Sequence, residues 1–319
     1  MSHVDPGRFR GCYSRGVKLS RLLLAAAGLV VLGAVLYSQY PPFRLGVWVL
    51  AGRSPHCPFP NAIRSEENLR RQIAAKDRIL AATREIASEA DYQLFDTPRG
   101  RFWMPRGSHF VLPFNLAEQE RQIYGTGPTA VRPGDVVLDC GANVGAYTRD
   151  ALRSGARLVV AIEPAPENIE CLRRNFASEA AAGRVIVYPK GVWDKDDVLT
   201  LHVDPENSAA DSFLIQRPGA RSVHQVPLTT IDKLAAELKL ERVDLIKMDI
   251  EGAEPNALRG ARGVIARFKP RLTISAYHAS DHPAVIPALI RQLRPDYRME
   301  CGPCAEAEGV IRPDILYFH

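Results

Sequence analysis

The chain is poor in cysteine and has no internal repeat, no extended low-complexity tract and no dense run of lysine and arginine. Six cysteines in 319 residues do not make a disulfide scaffold. The net charge of +5 is mild and partly reflects the amino-terminal flank, so no nucleic-acid partner is expected. The G-x-G-x-x-G spacing of a nicotinamide-binding turn is also missing, which disfavours a nicotinamide-dependent enzyme. What remains is a composition of 46% hydrophobic and 24% charged residues, enough for one large domain plus an extension.

Long hydrophobic runs are scarce as well, with one exception. Between Arg21 and Arg44 lie 22 residues without charge, and a helix from Leu22 to Tyr40 would be about 28 Å long at ~1.5 Å per residue, close to the bilayer core. Pro41-Pro42 ends it, and Tyr37 and Tyr40 suit a membrane interface. A cleaved signal peptide is the rival reading, but no clear small-x-small cleavage site follows, so an uncleaved single-pass anchor is expected. Arg8, Arg10, Arg15, Lys18 and Arg21 precede the run, against Arg44 and Arg53 after it. That asymmetry places the amino terminus in the cytoplasm, whereas a cytosolic cofactor would favour the opposite orientation. The apolar patch Phe43 to Ala51 is too short to span and suits the interface. Four regions are therefore expected: a basic flank (residues 1–21), a transmembrane helix (22–40), a linker with an amphipathic helix within Ser65 to Tyr92 (41–94), and an enzymatic domain (95–319).

The last region alternates as an α/β domain should. Phe95 to Met104 reads as two strands about a Pro98-Arg99-Gly100 turn, and Leu116 to Tyr124 as a helix. Val136 to Cys140 is an apolar strand that ends in an acid, and the turn Asp139-Cys140-Gly141-Ala142-Asn143-Val144-Gly145 follows. Val159 to Glu163 repeats the pattern of an apolar run closed by an acid. Such a strand–turn–helix–strand unit opens a doubly wound, Rossmann-like sheet that holds a nucleoside-bearing cofactor at its carboxyl edge. Its glycines let the backbone come close to a ligand, and the Glu163 carboxylate is placed for ribose hydroxyls. Pro166 to Glu179 suits a helix and Val185 to Tyr188 a third strand. Leu199 to Val203 and Ser222 to Pro227 suggest a hairpin around the polar loop Asp204 to Asp211. Thr230 is expected to cap a helix reaching Leu240. Asp244 to Asp249, Arg271 to Tyr277 and Ile311 to Phe318 supply the remaining strands.

A second diagnostic run, Lys247-Met248-Asp249-Ile250-Glu251-Gly252-Ala253-Glu254, gathers three carboxylates where a strand gives way to a helix, the edge at which this architecture binds ligands. Together with the D-C-G-A-N-V-G turn, Val226 to Asp232 and Leu258-Arg259-Gly260-Ala261, it resembles the FkbM-type S-adenosylmethionine-dependent methyltransferases over roughly Phe95 to His319. The resemblance implies a class I methyltransferase fold, S-adenosyl-L-methionine as cofactor, and O-methylation of a hydroxyl on a sugar, lipid-linked or secondary metabolite, a small-molecule or glycan acceptor. It further implies that Asp139, Gly141, Asn143 and Gly145 form the cofactor turn, that Glu163 binds the ribose, that Val192 and Trp193 lie near the adenine, and that Asp249 sits beside the methionine moiety or the acceptor. The chain departs from the family where Lys269-Pro270 leads to Ile274-Ser275-Ala276-Tyr277-His278.

Methyl transfer needs alignment of an acceptor oxygen and removal of its proton. His278, at a strand end, is the expected base on its ordinary pKa, with Asp249 and Glu251 behind it; Lys247 is expected to neutralise the carboxylates. Asp249, Glu251, Glu254, His278 and His282 are metal-ligand types, but their spacing demands no metal. Cys301-Gly302-Pro303-Cys304 reads as a loop disulfide or two free thiols. A membrane-tethered, catalytically silent cofactor-binding domain is the alternative function.

Overall fold

The uncharged run forms part of one long helix, α1 (Arg10–Gln39). Its stretch Arg21–Gln39 has mean hydropathy 2.0 and none of it is buried, so it is long and apolar enough to cross a membrane. The computed structural model describes residues 10–203, 207–209, 211–215 and 221–319; Arg8 and, in the expected polar loop, Asp204 to Glu206 and Ala210 lie outside them. Tyr40 is extended (φ −120°) and α2 (Pro41–Leu50) starts at once, because Pro41 has no N–H to continue α1 and its ring pushes the preceding residue out of the helical region.

The patch at Phe43 to Ala51, read as interfacial, folds back on one side. Leu45 is buried with Cys57, Ala62, Cys304 and Ile311, while Phe43, Val47 and Leu50 stay exposed. A disulfide joins Cys57 to Cys304, and Asn61, in α3 (Phe59–Ala62), donates to the carbonyls of Cys301 (3.1 Å) and Gly302 (2.9 Å). Neither expectation for Cys301-Gly302-Pro303-Cys304, a loop disulfide or two free thiols, holds: Cys301 is a free thiol, and the partner of Cys304 lies 247 residues away.

Helix α4 (Ser65–Ala82) is the expected amphipathic helix, burying Ala75 and Ile79, but it stops ten residues short of Tyr92. The Thr83 hydroxyl donates to the Ile79 carbonyl (2.8 Å), and the chain then leaves as β1 (Arg84–Ser88). That strand pairs antiparallel with β2 (Tyr92–Thr97), which pairs with β3 (Gly100–Pro105). Pairing against an existing strand outweighs helix propensity here.

Next come α5 (Val111–Glu120), β4 (Val136–Cys140), α6 (Ala146–Arg153), β5 (Leu158–Ile162), α7 (Pro166–Asn175), α8 (Ala177–Ala181), β6 (Val185–Tyr188), β7 (Gly191–Val192), β8 (Asp197–Val203) and β9 (Arg221–Thr229). The remainder is α9 (Ile231–Glu237), β10 (Leu245–Met248), α10 (Glu254–Arg259), α11 (Arg262–Phe268), β11 (Arg271–Ser275), α12 (His282–Leu293), β12 (Met299–Cys301), β13 (Cys304–Ala307), β14 (Val310–Pro313) and β15 (Ile315–Phe318). The helix expected from Leu116 begins earlier, at Val111. The one expected over Pro166 to Glu179 breaks at Phe176, whose fully buried ring requires φ −127° there. Thr230 caps α9 as expected, its hydroxyl accepting from the Lys233 N–H. β8 and β9 form the expected hairpin.

The main sheet runs β12-β15-β11-β10-β4-β5-β6. Strands β10, β11, β4, β5 and β6 are parallel, and β15 enters antiparallel between β11 and β12. The expected last strand, Ile311 to Phe318, is two: Asp314 N–H donates to the Pro303 carbonyl (2.8 Å), splitting a β13–β14 hairpin from β15. All five residues of β4 are buried, as a strand covered by helices on both faces must be. From β4 the chain winds outward through β5 and β6, and from β10 it winds the other way through β11. The switch point therefore lies between β4 and β10, where a crevice opens at the carboxyl edge.

Candidate active site

The turn after β4 and the turn after β10 meet at that switch point. Gly141 (φ +77°) sits so close to the second turn that a Cβ on it would stand 1.9 Å from the Asp249 carbonyl oxygen. A Cβ on Gly145 (φ +93°) would stand 2.1 Å from the Phe176 ring. Both glycines thus make room for the protein's own atoms, and Gly141 also lines the cleft described below. Left-handed backbone plus close packing leaves no alternative residue at Gly141. The amides of Gly141 and Ala142 both donate to the Ile162 carbonyl at 3.0 Å, which locks the turn to the end of β5.

Glu163 follows directly and is 5% exposed. Its Oε2 accepts from the Asn143 amide (2.8 Å) and its Oε1 from the Ala165 amide (3.0 Å), with Asn168 Nδ2 at 3.4 Å. Burial pushes its carboxyl up to about 7 against the pull of these donors. A carboxylate has about four acceptor sites, so one remains for a ribose hydroxyl. Asp139 lies below the turn, fully buried. Its Oδ2 accepts from Thr148 Oγ1 (2.7 Å), and its Oδ1 lies 3.2 Å from Lys247 Nζ. Lys247 also donates to the Gly141 carbonyl (2.7 Å). Burial pulls the ammonium down, yet Asp139 and Asp249 hold it above its ordinary value, so it stays charged and neutralises carboxylates, not a base.

The acidic run after β10 closes around one histidine. His278 Nδ1 lies 2.8 Å from Glu254 Oε1, and Nε2 lies 3.4 Å from both Asp249 Oδ1 and Glu251 Oε1. Burial pulls the imidazole down, but Glu254, Glu251 and Asp249 together raise it well above its ordinary value. Asp249 is further held by the hydroxyls of Tyr124 (2.7 Å, to Oδ2) and Tyr277 (3.2 Å, to Oδ1). Burial raises the Asp249 carboxyl, but Lys247 and His278 outweigh it and keep the group below its ordinary range.

A cleft opens above these turns. Of the residues singled out in the sequence, Gly141, Asn143, Glu163, Val192, Asp249 and Glu251 line it. Asp139 and Gly145 support it from beneath. Trp193 packs edge-on against Phe213 (6.5 Å) and reaches the site only through that ring. The His278 side chain is 2% exposed and lies behind the carboxylates, out of reach of a substrate in the cleft. That burial is at odds with its expected role as base. An adjoining groove shares Asn115, Glu118, Ala209, Asp249 and Glu251 with the cleft and adds Phe110, Phe114 and Tyr277.

This geometry coincides with a family signature: the model of the methyltransferase FkbM domain matches residues 139–299, half of the chain. The chain belongs to the FkbM methyltransferase family. It is 28% identical over 157 residues to 31-O-demethyl-FK506 methyltransferase FkbM of Streptomyces tacrolimicus, covering 41% of this chain and 60% of that protein. Against Methyltransferase 1 of Beauveria bassiana it is 27% identical over 143 residues, 39% of this chain and 57% of that one. The chain thus spans less than two thirds of the length of either relative. Among solved structures, methyltransferase FkbM from Methylobacillus flagellatus KT aligns with 20% identity and a TM-score of 0.46, over 80% of this chain and 60% of that one.

Part of the site lies outside the matched FkbM segment. Asn115, Glu118 and Gln119 come from α5 and Tyr124 from its exit. Burial and the Asp249 charge push the Glu118 carboxyl up to about 8; Tyr124 OH, which donates to Asp249, stands 3.5 Å from Glu118 Oε2. Sequence reading missed Glu118. The signal was faint: Asn115, Glu118 and Gln119 share one face of a helix whose neighbours Leu112 and Leu116 are buried.

Proposed function

We propose that the domain is an S-adenosylmethionine-dependent O-methyltransferase acting on a hydroxyl of a small-molecule or glycan acceptor, tethered to a membrane by α1. The observation that carries this reading is the joining of two unlike compartments. The cleft offers Glu163 to a nucleoside, and the aromatic-rimmed groove meets that cleft at Glu118, Asp249 and Glu251.

The residues present fit the cofactor. Ser208 has a buried hydroxyl without a partner and lines the cleft near Glu163, and the remaining acceptor site of Glu163 suits a ribose. When bound, S-adenosylmethionine supplies a methyl group on a positively charged sulfur. Glu163 and Asn143 hold the nucleoside end, while Val192, Ile162 and Phe213 offer apolar surface. Phe110, Phe114 and Tyr277, each about two-fifths exposed, give an acceptor a flat surface that displaces water as it enters. Glu118 would take the proton of an acceptor hydroxyl placed in the groove beside the bound methyl donor. A carboxyl titrating near 8 is well matched to that transfer.

Two features favour the side of the membrane opposite the cytoplasm for the domain. The basic residues lie before the uncharged stretch of α1, and the Cys57–Cys304 disulfide belongs to an oxidising compartment. Protease digestion of the domain in sealed, right-side-out vesicles is expected; full protection would reverse the assignment.

Calorimetric titration of the full-length chain with S-adenosylmethionine and with NADH tests the central reading. Binding of the first alone is expected, followed by label transfer from methyl-labelled cofactor in a screen of hydroxylated acceptors. NADH binding without S-adenosylmethionine binding would refute it, and binding without transfer to any acceptor would favour a silent domain.

A further inference from the structure

The cluster behind Asp249 is built more elaborately than a proton relay requires. Three carboxylates, those of Asp249, Glu251 and Glu254, converge on one imidazole from a single turn. The nearest ammonium, Lys247, is already shared with Asp139 and the Gly141 carbonyl. Buried negative charge of that density is costly, and one imidazole offers at most a single positive charge against three carboxylates.

We propose that Asp249, Glu251 and His278 form a divalent metal site at the junction of the cleft and the groove, with Glu254 orienting the imidazole. The orientation of His278 carries the inference. Glu254, fully buried and itself fixed by the Ile250 amide (3.0 Å), lies 2.8 Å from Nδ1, where its oxygen accepts the hydrogen bond of an Nδ1–H tautomer. Nε2 is left buried and without a hydrogen bond, on a side chain 2% exposed, and faces Asp249 and Glu251. A carboxylate that fixes one ring nitrogen while the other points at an ion is the usual arrangement around a metal-bound histidine.

Distances agree with this assignment. Nε2 is 3.4 Å from both Asp249 Oδ1 and Glu251 Oε1, about the separation of neighbouring donors placed ~2.1 Å from a tetrahedral ion. Two carboxylates with one imidazole suit an ion that takes both oxygen and nitrogen, of the Mn²⁺ or Zn²⁺ kind, better than one restricted to oxygen.

Asp249 and Glu251 also line both the cleft and the groove, so an ion held there would face the acceptor. Its catalytic use rests on the methyltransferase reading: coordination of the acceptor hydroxyl would lower its pKa and fix its oxygen in line with the methyl group. The site itself stands on geometry alone.

The full-length chain, stripped with chelator, is titrated with Mn²⁺ followed by electron paramagnetic resonance and with Zn²⁺ followed by calorimetry. One ion per chain is expected, and the bound Mn²⁺ should show ¹⁴N coupling from an imidazole. Glu254→Gln should weaken binding roughly 10–100-fold and His278→Ala should abolish the nitrogen coupling, with circular dichroism confirming that each variant is folded. Glu251→Gln, at a less buried position, gives a second test should either of those fail to fold. Absence of binding at millimolar Mn²⁺ and Zn²⁺, or Mn²⁺ binding without ¹⁴N coupling, would overturn the site. S-adenosylmethionine titrated into the same stripped protein separates the two ideas: cofactor binding without metal binding refutes the metal site and leaves the methyltransferase reading standing.

Discussion

The two walls of the cleft are built on opposite plans. On the cofactor wall one carboxylate, Glu163, is held by donors within five residues of it in sequence and by the Asn143 amide of the neighbouring turn. On the acceptor wall, side chains from four places in the chain — Glu118, Tyr124, the turn from Asp249 to Glu254, and Tyr277-His278 — meet only after folding. The first plan gives a fixed anchor, mostly satisfied by backbone N–H groups. The second gives a set of coupled charges whose titration depends on each neighbour, which suits proton movement more than holding. Gly141 is where they touch, packed against the Asp249 carbonyl.

That contrast is most sharply broken on the acceptor wall. Glu118→Gln keeps the size of the side chain and removes its ability to take a proton. Turnover should fall roughly 10²–10⁴-fold, while the S-adenosylmethionine dissociation constant measured by calorimetry stays within about two-fold. A variant with full turnover would remove Glu118 from the mechanism and return the role to Asp249 or Glu251.

Gly141→Ala strikes both walls together. The added Cβ meets backbone, which cannot rotate away, and the residue must still hold φ +77°. Overpacking and backbone strain each cost about 1–3 kcal/mol, so denaturant unfolding should show a loss on the order of 3 kcal/mol. Unchanged stability would mean that the two turns can separate freely.

Glu163→Gln affects one wall only. Replacing a charged acceptor by a neutral amide forfeits about 1.5–3 kcal/mol per hydrogen bond of that kind, so cofactor affinity should drop roughly 10- to 100-fold. Turnover at saturating cofactor should change little, the reverse of the Glu118→Gln pattern. Equal losses in both parameters would show that the walls are not separable.

The same division explains what could be read without coordinates. The cofactor wall is legible because its parts are contiguous: the apolar run of β4, the turn to Gly145, and Glu163 closing β5 lie within 28 residues. β6 occupies Val185–Tyr188 and the Thr230 cap is in place because turn chemistry and period-two patterning are local signals. The acceptor wall was legible only as a list of acids and one histidine. That His278 lies buried behind the carboxylates that line the cleft follows from its packing against Glu254, and Glu118 enters from a helix upstream of every recognised motif; neither is a local property. β1 escaped for the same reason. Arg84 to Ser88 carries helix-compatible residues, and only the presence of β2 beside it makes a strand. Likewise Cys57–Cys304 spans almost the whole domain, a pairing that no spacing rule could select.

The smallest effect is also the most diagnostic, because it moves affinity and stability in opposite directions. Glu163 titrates at about 7 in the folded protein against an ordinary value of 4.5, raised by burial. A group whose folded value is raised favours the native state while protonated, so its contribution is full below about 4.5, declines as the pH rises, and is gone above about 7. A ribose hydroxyl, by contrast, is accepted best by the ionised carboxylate. Between pH 7 and pH 6 the S-adenosylmethionine dissociation constant should therefore rise, by up to about ten-fold for a single required deprotonation. The urea midpoint should meanwhile move slightly upward through this group. In Glu163→Gln both dependences should flatten, while the slopes belonging to Glu118 and the His278 cluster persist in turnover. A cofactor affinity that stays constant from pH 8 to pH 6 in the unaltered protein would show that Glu163 is ionised throughout. In that case donors at the carboxylate outweigh its burial, and the cofactor wall is more polar than its enclosure implies.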